Sequence, residues 1–320
     1  MHKTLKSPST SIAGRTVIVK GQWIKTAVVM DEELMEGELV QDPELFVAGL
    51  KQVRLKADIF SFTQRPPDVT PKYNYFHYMD NWAVIPITTY NEWWENRLPQ
   101  EARKNVRRAG RRGVVVKLLD FNDDLVKGIR EIYNETPFRQ GRRFNHYGKD
   151  FDTVKRENGT YLERSQFLGA YSNEELVGFI KITYADHMAM LMQIIGKNAH
   201  HDKRPVNALL ARAVELCVQR GASYLVYDRY VYDGNEDSAL TEFKRRNGFE
   251  EIKFPRYFLP LTAKGKMAIS LGLQSGVRSA IPAPLMRAAL KLRARYNRAR
   301  EASKQCKIDT TDSVVSDHQA

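Results

Sequence analysis

The sequence predicts a mixed α/β fold in which a central mixed sheet is flanked by helices. Two features between residues 167 and 261 lead to this prediction. Short apolar runs separated by polar turns indicate strands between residues 167 and 195, and a 3.6-residue period indicates a helix after residue 205. The complete order is hairpin, long strand, helix, strand, helix, strand. Such alternation is typical of sheets covered by helices.

The composition limits the class of protein. The chain has 320 residues, of which 42% are hydrophobic, so it can form one large or two modest domains with apolar cores. Its two cysteines, Cys217 and Cys306, cannot form a disulfide framework and suggest a reducing compartment. No apolar run reaches the roughly 18 residues that cross a bilayer, and residues 1–15 lack the apolar core of a signal peptide. We therefore expect a cytoplasmic protein.

The net charge of +12 favours anionic partners, such as nucleic acid, an anionic membrane, a nucleotide-bearing donor or an acidic carrier protein. Two segments concentrate the positive charge. The second lies between residues 287 and 304, and the first would follow one side of a helix: Arg103, Lys104, Arg107, Arg108, Arg111 and Arg112. A solvated helix face explains either segment as well as a ligand does.

Residues 15–117 are predicted to form a first α/β half, after a flexible tail over residues 1–14. RTVIVKGQWIKTAVV alternates like paired strands, a short helix spans about Pro43 to Val53, and DIFSFTQRPPD and YNYFHYMDNWAVIPI are further strands. Many aromatic residues lie between residues 73 and 94. Core packing explains most of them better than a ligand groove does.

Residues 118–265 are predicted to form a second half. FLGAYSNEELVGFIKITYADHMAMLMQII indicates three antiparallel strands, and a helix starts near Pro205 and stops at Gly221. The short strand YLVYDRYV, a helix from about Ser238 to Arg246 and a last strand around Tyr257 complete the half.

Beyond this half we expect a basic helical extension over residues 266–304 and a disordered tail over residues 305–320. The extension has a thin apolar stripe against a basic remainder. Docking on the protein itself or on a partner fits so narrow a stripe better than membrane binding, although a weak contact with an anionic membrane stays open.

This succession of elements resembles the GNAT superfamily of acyltransferases, and FKRRNGFEE resembles its closing helix-to-strand signature. LPQEARKNVRRAGRRGVVVKLL and EIYNETPFRQGRRFNHYGKDF resemble the junction of the two halves in FemAB-like transferases. The resemblance covers about residues 40–262 and implies a GNAT-like acyl-CoA N-acyltransferase fold, with two GNAT-like halves. It also implies an enzyme that transfers an acyl or aminoacyl group from an activated carrier directly to an amine.

The resemblance places the donor at the strand MLMQII and at the loop from Gly196 to Asn207. In the superfamily, backbone N–H groups beside this strand polarise a thioester, and the N-terminus of the next helix holds a pyrophosphate. This chain carries HHDKRPVNA where the superfamily has a glycine-rich turn, so we expect cationic side chains, His201 included, to replace some amides. The predicted donor-binding residues are Gln193, Lys197, His200, Lys203, Arg204 and Asn207. Acyl-CoA is the expected co-substrate, with an acyl carrier protein or an aminoacyl-tRNA as alternative carriers.

The acid is predicted from the same resemblance, whereas the bases and most of the acceptor-binding residues are predicted because residues 134–148 are polar and arginine-rich. Phe243 occupies the helix where many GNAT enzymes place a tyrosine acid, so Tyr227, Tyr230 and Tyr232 are the available substitutes, and we select Tyr227. Glu135 and His146 are the candidate general bases. The predicted acceptor-binding residues, in an arginine-rich loop and on the last helix, are Arg139, Arg142, Tyr147 and Lys244.

We predict no metal site, because the acidic residues between 228 and 237 lack the ligand spacing of a calcium loop and His200 and His201 lack zinc-binding partners. The alternative function is a non-catalytic protein of the same fold that binds nucleic acid or an anionic membrane surface. The basic segments, the missing glycine loop and the missing tyrosine on the last helix fit this alternative.

Overall fold

The structure, a computed structural model, describes residues 8–53, 55–139, 142–232 and 235–274. The strands are β1 (Ser9–Ile12), β2 (Arg15–Lys20), β3 (Thr26–Val29), β4 (Ile59–Thr63), β5 (His77–Pro86), β6 (Val115–Leu119), β7 (Phe138–Arg139), β8 (Arg142–Arg143), β9 (Ser165–Ser172), β10 (Glu175–Ala185), β11 (Met188–Gly196), β12 (Tyr224–Val226) and β13 (Glu250–Pro260).

The helices are α1 (Pro43–Gln52), α2 (Tyr90–Glu92, continued by a π-turn over Trp93–Arg97), α3 (Gln100–Arg111), α4 (Asp123–Asn134), α5 (Phe151–Asn158), α6 (Pro205–Gln219), α7 (Ala239–Arg246) and α8 (Ala263–Ser270). Short 3₁₀ helices cover Glu32–Leu34, Leu162–Arg164 and Asn198–Lys203. Within the described ranges, no helix has the length and apolar character that crossing a membrane requires.

Eleven strands form one mixed sheet in the order β1-β2-β3-β4-β13-β5-β12-β11-β10-β9-β6. The pairs β3/β4 and β11/β12 are parallel, and the other neighbours are antiparallel. The strands β7 and β8 form a separate hairpin. The predicted mixed sheet flanked by helices is confirmed.

Helices α3 and α6 cover one face of the middle of the sheet. Ala83 and Ile85 of β5 and Leu225 of β12 pack with these helices in one buried cluster. Their alternating neighbours Trp82 and Val84 face the other side and pack with Leu34 of a 3₁₀ helix. The sheet therefore has a helical face and a face that carries the Glu32–Leu34 segment.

Strand β13 connects the two predicted halves of the chain. It pairs with β4 on one side and with β5 on the other, although both of these strands belong to the first predicted half. The division at residue 117 stays a prediction.

Residues 9–12, which the sequence analysis assigned to a flexible tail, form the edge strand β1. They pair antiparallel with residues 15–18, and the turn at Ala13-Gly14 has positive φ at both residues. The side chain of Ile12 is buried and supplies the apolar anchor. The basic extension and the tail that we predicted lie outside the described residues, except for residues 266–274.

Helix α6 starts at Pro205 and is followed by Gly221 with φ of 69°, as the sequence predicts. Its residue Cys217 is a buried free thiol, and burial raises its pKa to about 12. Cys217 is therefore a core residue, and its protonated thiol is not a reactive nucleophile.

Candidate functional site

A β-bulge interrupts the pairing of β11 with β10, close to the point where β11 extends beyond its pairing with β12. Lys181 of β10 lies opposite Gln193, whereas the next residue lies opposite Leu191, so Met192 is the extra residue of β11. Pairing between β11 and β12 covers only three residues of each strand and ends at Met190 and Val226, while β11 continues to Gly196. A bulge bends its strand. Beyond Met190 one edge of β11 has no β12 partner, because β12 ends at Val226.

A cleft of about 700 Å³, which we call the transfer cleft, lies at this edge of β11, on the helical face of the sheet. The end of β11 forms its floor, and α3, α6 and α7 form its walls. Gly196 permits the close approach of α6, because a Cβ at this position would lie 2.9 Å from Cγ2 of Val206. The charged side chains of the lining are Glu101, Arg139, Lys197, Arg204, Glu242 and Arg246, together with His201.

Three residues of the transfer cleft contain buried polar atoms that have no hydrogen-bond partner among the described residues: Nε of Arg139, Nε of Arg204 and Oδ1 of Asn105. A buried polar group without a partner costs free energy, so such atoms are rare away from ligand sites. Helix α6 also begins here, and Arg204, its N-cap residue, provides no side-chain cap for the first N–H groups. Two free guanidinium donors beside an uncapped helix N-terminus can bind an anion.

The carboxylate of Glu135 holds the loop before α6 in place. It accepts hydrogen bonds from the backbone N–H groups of Asn198 at 2.7 Å and of Ala199 at 2.8 Å. It also pairs with Nη2 of Arg139 at 3.2 Å. These contacts engage both carboxylate oxygens, so the structure places Glu135 behind the transfer cleft as a positioning residue and not where a general base would face the acceptor.

Tyr227 lines the transfer cleft at the end of β12. Its ring packs against Phe243 and Phe249, and Nζ of Lys244 lies 4.8 Å from the ring centroid. Burial raises the pKa of Tyr227 to about 12, so the phenol carries its proton at neutral pH. Tyr227 thus borders the transfer cleft with a protonated phenol, and its role as the acid stays a prediction.

Lys244 lies behind Tyr227 and does not line the transfer cleft. Its Nζ donates to the carbonyl of Arg229 and also lies 4.7 Å from the ring centroid of Tyr232. Burial lowers its pKa to about 8. The structure therefore gives Lys244 a role in packing around Tyr227 rather than the predicted contact with the acceptor.

Of the six predicted donor-binding residues, the transfer cleft brings together Lys197, Arg204 and Asn207. Asn207 donates from Nδ2 to Oδ1 of Asn247, another lining residue, at 2.8 Å. Lys197 pairs with Glu175 at 2.6 Å, which reduces its effective charge.

The other three predicted donor-binding residues lie outside the lining. Nζ of Lys203 donates to Oγ of Ser172 at 2.9 Å, and Nε2 of His200 contacts Glu175 at 3.1 Å. Gln193 precedes the floor of the transfer cleft on β11 and pairs with Lys181. The sequence of a loop does not reveal which of its side chains face the cleft. In this loop, the 3₁₀ helix places some side chains in the cleft lining and others outside it.

His146, Arg142 and Tyr147 also lie outside the lining of the transfer cleft. The ring of His146 packs 4.4 Å from that of Tyr133, and burial lowers its pKa. Arg142 and Tyr147 are exposed on the hairpin of β7 and β8 and in the turn after it. Among the predicted acceptor-binding residues, only Arg139 reaches the transfer cleft.

The sequence analysis missed Glu101 and Asn105, which lie one helical turn apart on α3 and both line the transfer cleft. It also missed Glu242, Arg246 and Asn247 as lining residues, whereas His201, which it expected to contribute, does line the cleft. Glu242 is held by Arg245 and Arg246 of its own helix, whereas Glu101 has no ion pair among the described residues. The four-residue spacing of Glu101 and Asn105 was the available signal, but the arginines around them obscured it.

Half of the basic cluster on α3 is engaged within the protein. Arg103 pairs with Glu95, Arg112 with Asp202, and the guanidinium of Arg107 lies 5.7 Å from the ring of Trp94. These three arginines contact side chains of the protein itself, which agrees better with a surface helix face than with a ligand site. The residues that the structure describes contain no group of three or more His, Cys, Asp or Glu side chains placed to hold a metal ion.

No protein-family model and no curated protein matches this chain. Solved structures match it at the level of the fold. The C-terminal domain of a putative lysylphosphatidylglycerol synthetase from Agrobacterium fabrum is 14% identical, with 82% of this chain and 87% of that chain covered and a TM-score of 0.54.

L-PGS from Bacillus licheniformis is 13% identical over 82% of this chain and 88% of its own, with a TM-score of 0.53. FemX is 12% identical over 81% of this chain and 87% of its own, with a TM-score of 0.52. This chain therefore has the GNAT-like, FemAB-like fold that it shares with FemX, with L-PGS and with the putative lysylphosphatidylglycerol synthetase domain.

Proposed function

We propose that this protein is an acyltransferase that moves an acyl or aminoacyl group from an activated carrier to an amine in the transfer cleft beside β11. The observation that supports this most strongly is the pair of buried, unpaired Nε atoms of Arg139 and Arg204 at the start of α6. A phosphate on the carrier would pair with both guanidinium groups and with the helix N-terminus.

The donor that fits this cleft is a thioester of coenzyme A, whose phosphates would meet Arg139 and Arg204 while its acyl end lies along β11. The loop before α6 supplies side-chain donors where backbone amides are already engaged, since Glu135 occupies those of Asn198 and Ala199. Lysylphosphatidylglycerol, named in one of the similar structures, carries an aminoacyl group. Aminoacyl-tRNA and acyl carrier protein are the alternative carriers.

The reaction needs a place for the oxyanion, a base and an acid. Backbone N–H groups on the open edge of β11 can stabilise the oxyanion when the amine attacks the carbonyl carbon. Glu101, the cleft carboxylate without an ion pair among the described residues, is our candidate to take the ammonium proton. A C–N bond forms, the C–S bond breaks, and Tyr227 gives its proton to the departing thiolate. The second proton that the nitrogen loses as the amide forms restores the phenol of Tyr227.

The assignment of Tyr227 is tested by measuring free thiol released from acetyl-CoA and longer acyl-CoA thioesters in the presence of a panel of primary amines. We expect Tyr227→Phe to lower the turnover by about 100-fold or more, because positioned acids contribute on this order. Tyr230→Phe is the matched control, since Tyr230 packs against the same core but does not line the transfer cleft. Turnover by Tyr227→Phe at the wild-type rate would remove the assignment.

The alternative, a non-catalytic protein that binds nucleic acid or an anionic membrane, depends on the two basic segments. Three of the six basic residues of the α3 segment have partners within the protein, which weakens this support. Binding to phosphate backbones falls steeply with salt, because each neutralised phosphate releases counterions. Weak binding to duplex DNA, RNA and anionic vesicles at low salt would exclude the alternative.

A further inference from the structure

A second cavity, of about 580 Å³, lies on the face of the sheet opposite the transfer cleft. The segment between β2 and β3, the short helix Glu32–Leu34 and strands β4, β5 and β13 surround it. We call it the amine cavity. Because it shares no lining residue with the transfer cleft, a ligand bound here is independent of the proposed function.

Aromatic rings form one side of the amine cavity. Tyr78 and Phe258 are stacked with their centroids 5.2 Å apart, and Trp23 is 57% exposed although it is a large apolar side chain. Flat apolar walls of this kind bind apolar or aromatic parts of ligands and attract cations to their faces.

Three side chains of the cavity contain buried polar atoms that have no hydrogen-bond partner among the described residues. They are Oε2 of Glu32, Oγ of Ser61 and Oε1 of Gln274. Ser61 is only 2% exposed, and its neighbours Phe60 and Phe62 pack on the opposite face of the sheet, so its side chain points toward the cavity.

Two of these three atoms can only accept hydrogen bonds, and the hydroxyl of Ser61 can also accept one. A ligand that satisfies all three must therefore donate hydrogen bonds to them. A primary ammonium group has three donors and no acceptor, which matches the three acceptors.

The two arginines of the cavity are paired with carboxylates. Arg256 pairs with Glu32 and with Asp80, and Nε of Arg229 lies 3.5 Å from Asp80. Asp31, Glu33 and Lys20 complete the charged lining, in which three positive and three negative groups balance. Only one oxygen of Glu32 is used by Arg256, and the other is the unpartnered Oε2.

We infer that the amine cavity is a binding site for a small organic compound that carries a primary ammonium group and a flat apolar part. The ammonium group donates to Glu32, Ser61 and Gln274, and the apolar part packs against Trp23, Tyr78 and Phe258. This arrangement satisfies the buried acceptors, for which the described part of the chain offers no hydrogen-bond partner.

The test uses 2-phenylethylamine as the probe and 2-phenylethanol as its uncharged analogue of the same shape. Each is titrated into the full-length protein at neutral pH, and binding is followed by calorimetry and by tryptophan fluorescence. We expect the amine to bind saturably at one molecule per chain, and the alcohol to bind on the order of tenfold more weakly or not at all, because a hydrogen bond to a charged group is lost.

Ser61→Ala is the decisive variant. It removes an unpartnered hydroxyl, so thermal unfolding should stay at the wild-type temperature or rise, while the affinity for the amine falls on the order of tenfold. Asn105→Ala, in the transfer cleft, is the control and should leave amine binding unchanged. Equal binding of the amine and the alcohol, no binding of the amine, or unchanged amine affinity in Ser61→Ala would each overturn the inference.

Discussion

Two buried lysines are the residues whose protonation most directly affects stability. Lys181, in the middle of β10, donates from Nζ to the carbonyls of Asn158 and Thr160 at 2.8 Å and 2.6 Å. Burial lowers its pKa to about 8 from an ordinary value of 10.5, and it does the same to Lys244. The folded protein therefore releases these protons at a lower pH than the unfolded chain does.

The sign of the pH effect follows from this difference. Between about pH 8 and pH 10.5 the unfolded chain binds more protons, so the free energy of unfolding rises with pH through this window. We expect the free energy of unfolding of the wild type to rise by about 2 kcal/mol relative to that of Lys181→Met between about pH 7.5 and about pH 9.5. Urea unfolding at the two pH values measures this gain.

The exposed Lys104 provides the control for this prediction. The difference in the free energy of unfolding between Lys104→Met and the wild type should be the same at both pH values, because the side chain of Lys104 is exposed to solvent. If the free energy of unfolding of Lys181→Met changes with pH by the same amount as that of the wild type, burial does not lower the pKa of Lys181.

At the scale of single residues, the sequence could predict the chemistry of the candidate site better than the orientation of its side chains. The loop before α6 was correctly located, but its cationic residues divide between the transfer cleft, which Arg204 lines, and the protein surface around Ser172, which Lys203 contacts. Glu135 was predicted as a base because its sequence segment is polar and arginine-rich, whereas in the structure its carboxylate accepts hydrogen bonds from the backbone N–H groups of Asn198 and Ala199. Such contacts depend on tertiary packing and leave no periodic signal.

The loop Asn198–Lys203 is the element whose position depends most on a single side chain. Because Glu135 is 16% exposed and accepts two backbone hydrogen bonds, we expect Glu135→Ala to lower the free energy of unfolding by about 2 to 4 kcal/mol. Glu131→Ala, one turn earlier on α4, is the control: its carboxylate is 70% exposed and 4.0 Å from Lys197, so it should cost about 0.5 kcal/mol or less.

Chemical denaturation of both variants and the wild type gives these values. A loss in Glu135→Ala that is no larger than in Glu131→Ala would show that the loop does not depend on this carboxylate.

The elements themselves could largely be predicted from periodicity. The strands β9, β10 and β11 and the helix α6 follow from alternation and from the 3.6-residue period, together with Pro205 and Gly221. The bulge at Met192 could not be predicted, because the residue pattern of MLMQII does not show which residue is left unpaired. The feature that bends β11 beside the transfer cleft was therefore invisible in the sequence.

The whole molecule is organised around a strand that comes late in the chain. Strand β13 lies between β4 and β5, so the second predicted half completes the sheet of the first. Sequence patterns predict that β13 is a strand, but its place between strands about 170 to 200 residues earlier follows from long-range pairing only.

This topology predicts that the fragment of residues 118–265 does not fold on its own, because β12 and β13 would both lose β5 and β13 would also lose β4. We expect poor dispersion of the amide NMR signals and no cooperative urea transition. Co-expression with residues 1–117 is the control and should restore both. A fragment that unfolds cooperatively by itself would instead show that the second half is autonomous.

The central claim is that the transfer cleft, at the start of α6, binds a phosphate-bearing acyl donor, and two adjacent residues test it most directly. Arg204 lines the cleft with an unpaired Nε, whereas Lys203 contacts Ser172 outside it. Because Arg204→Ala and Lys203→Ala each remove one positive charge from nearly the same place, the long-range field changes equally in both.

The measurement is a calorimetric titration of the wild type and both variants with acetyl-CoA at moderate salt. We predict saturable binding of one molecule per chain, weakened about tenfold or more by Arg204→Ala and unchanged by Lys203→Ala. No binding to the wild type, or equal weakening by the two substitutions, would contradict the account.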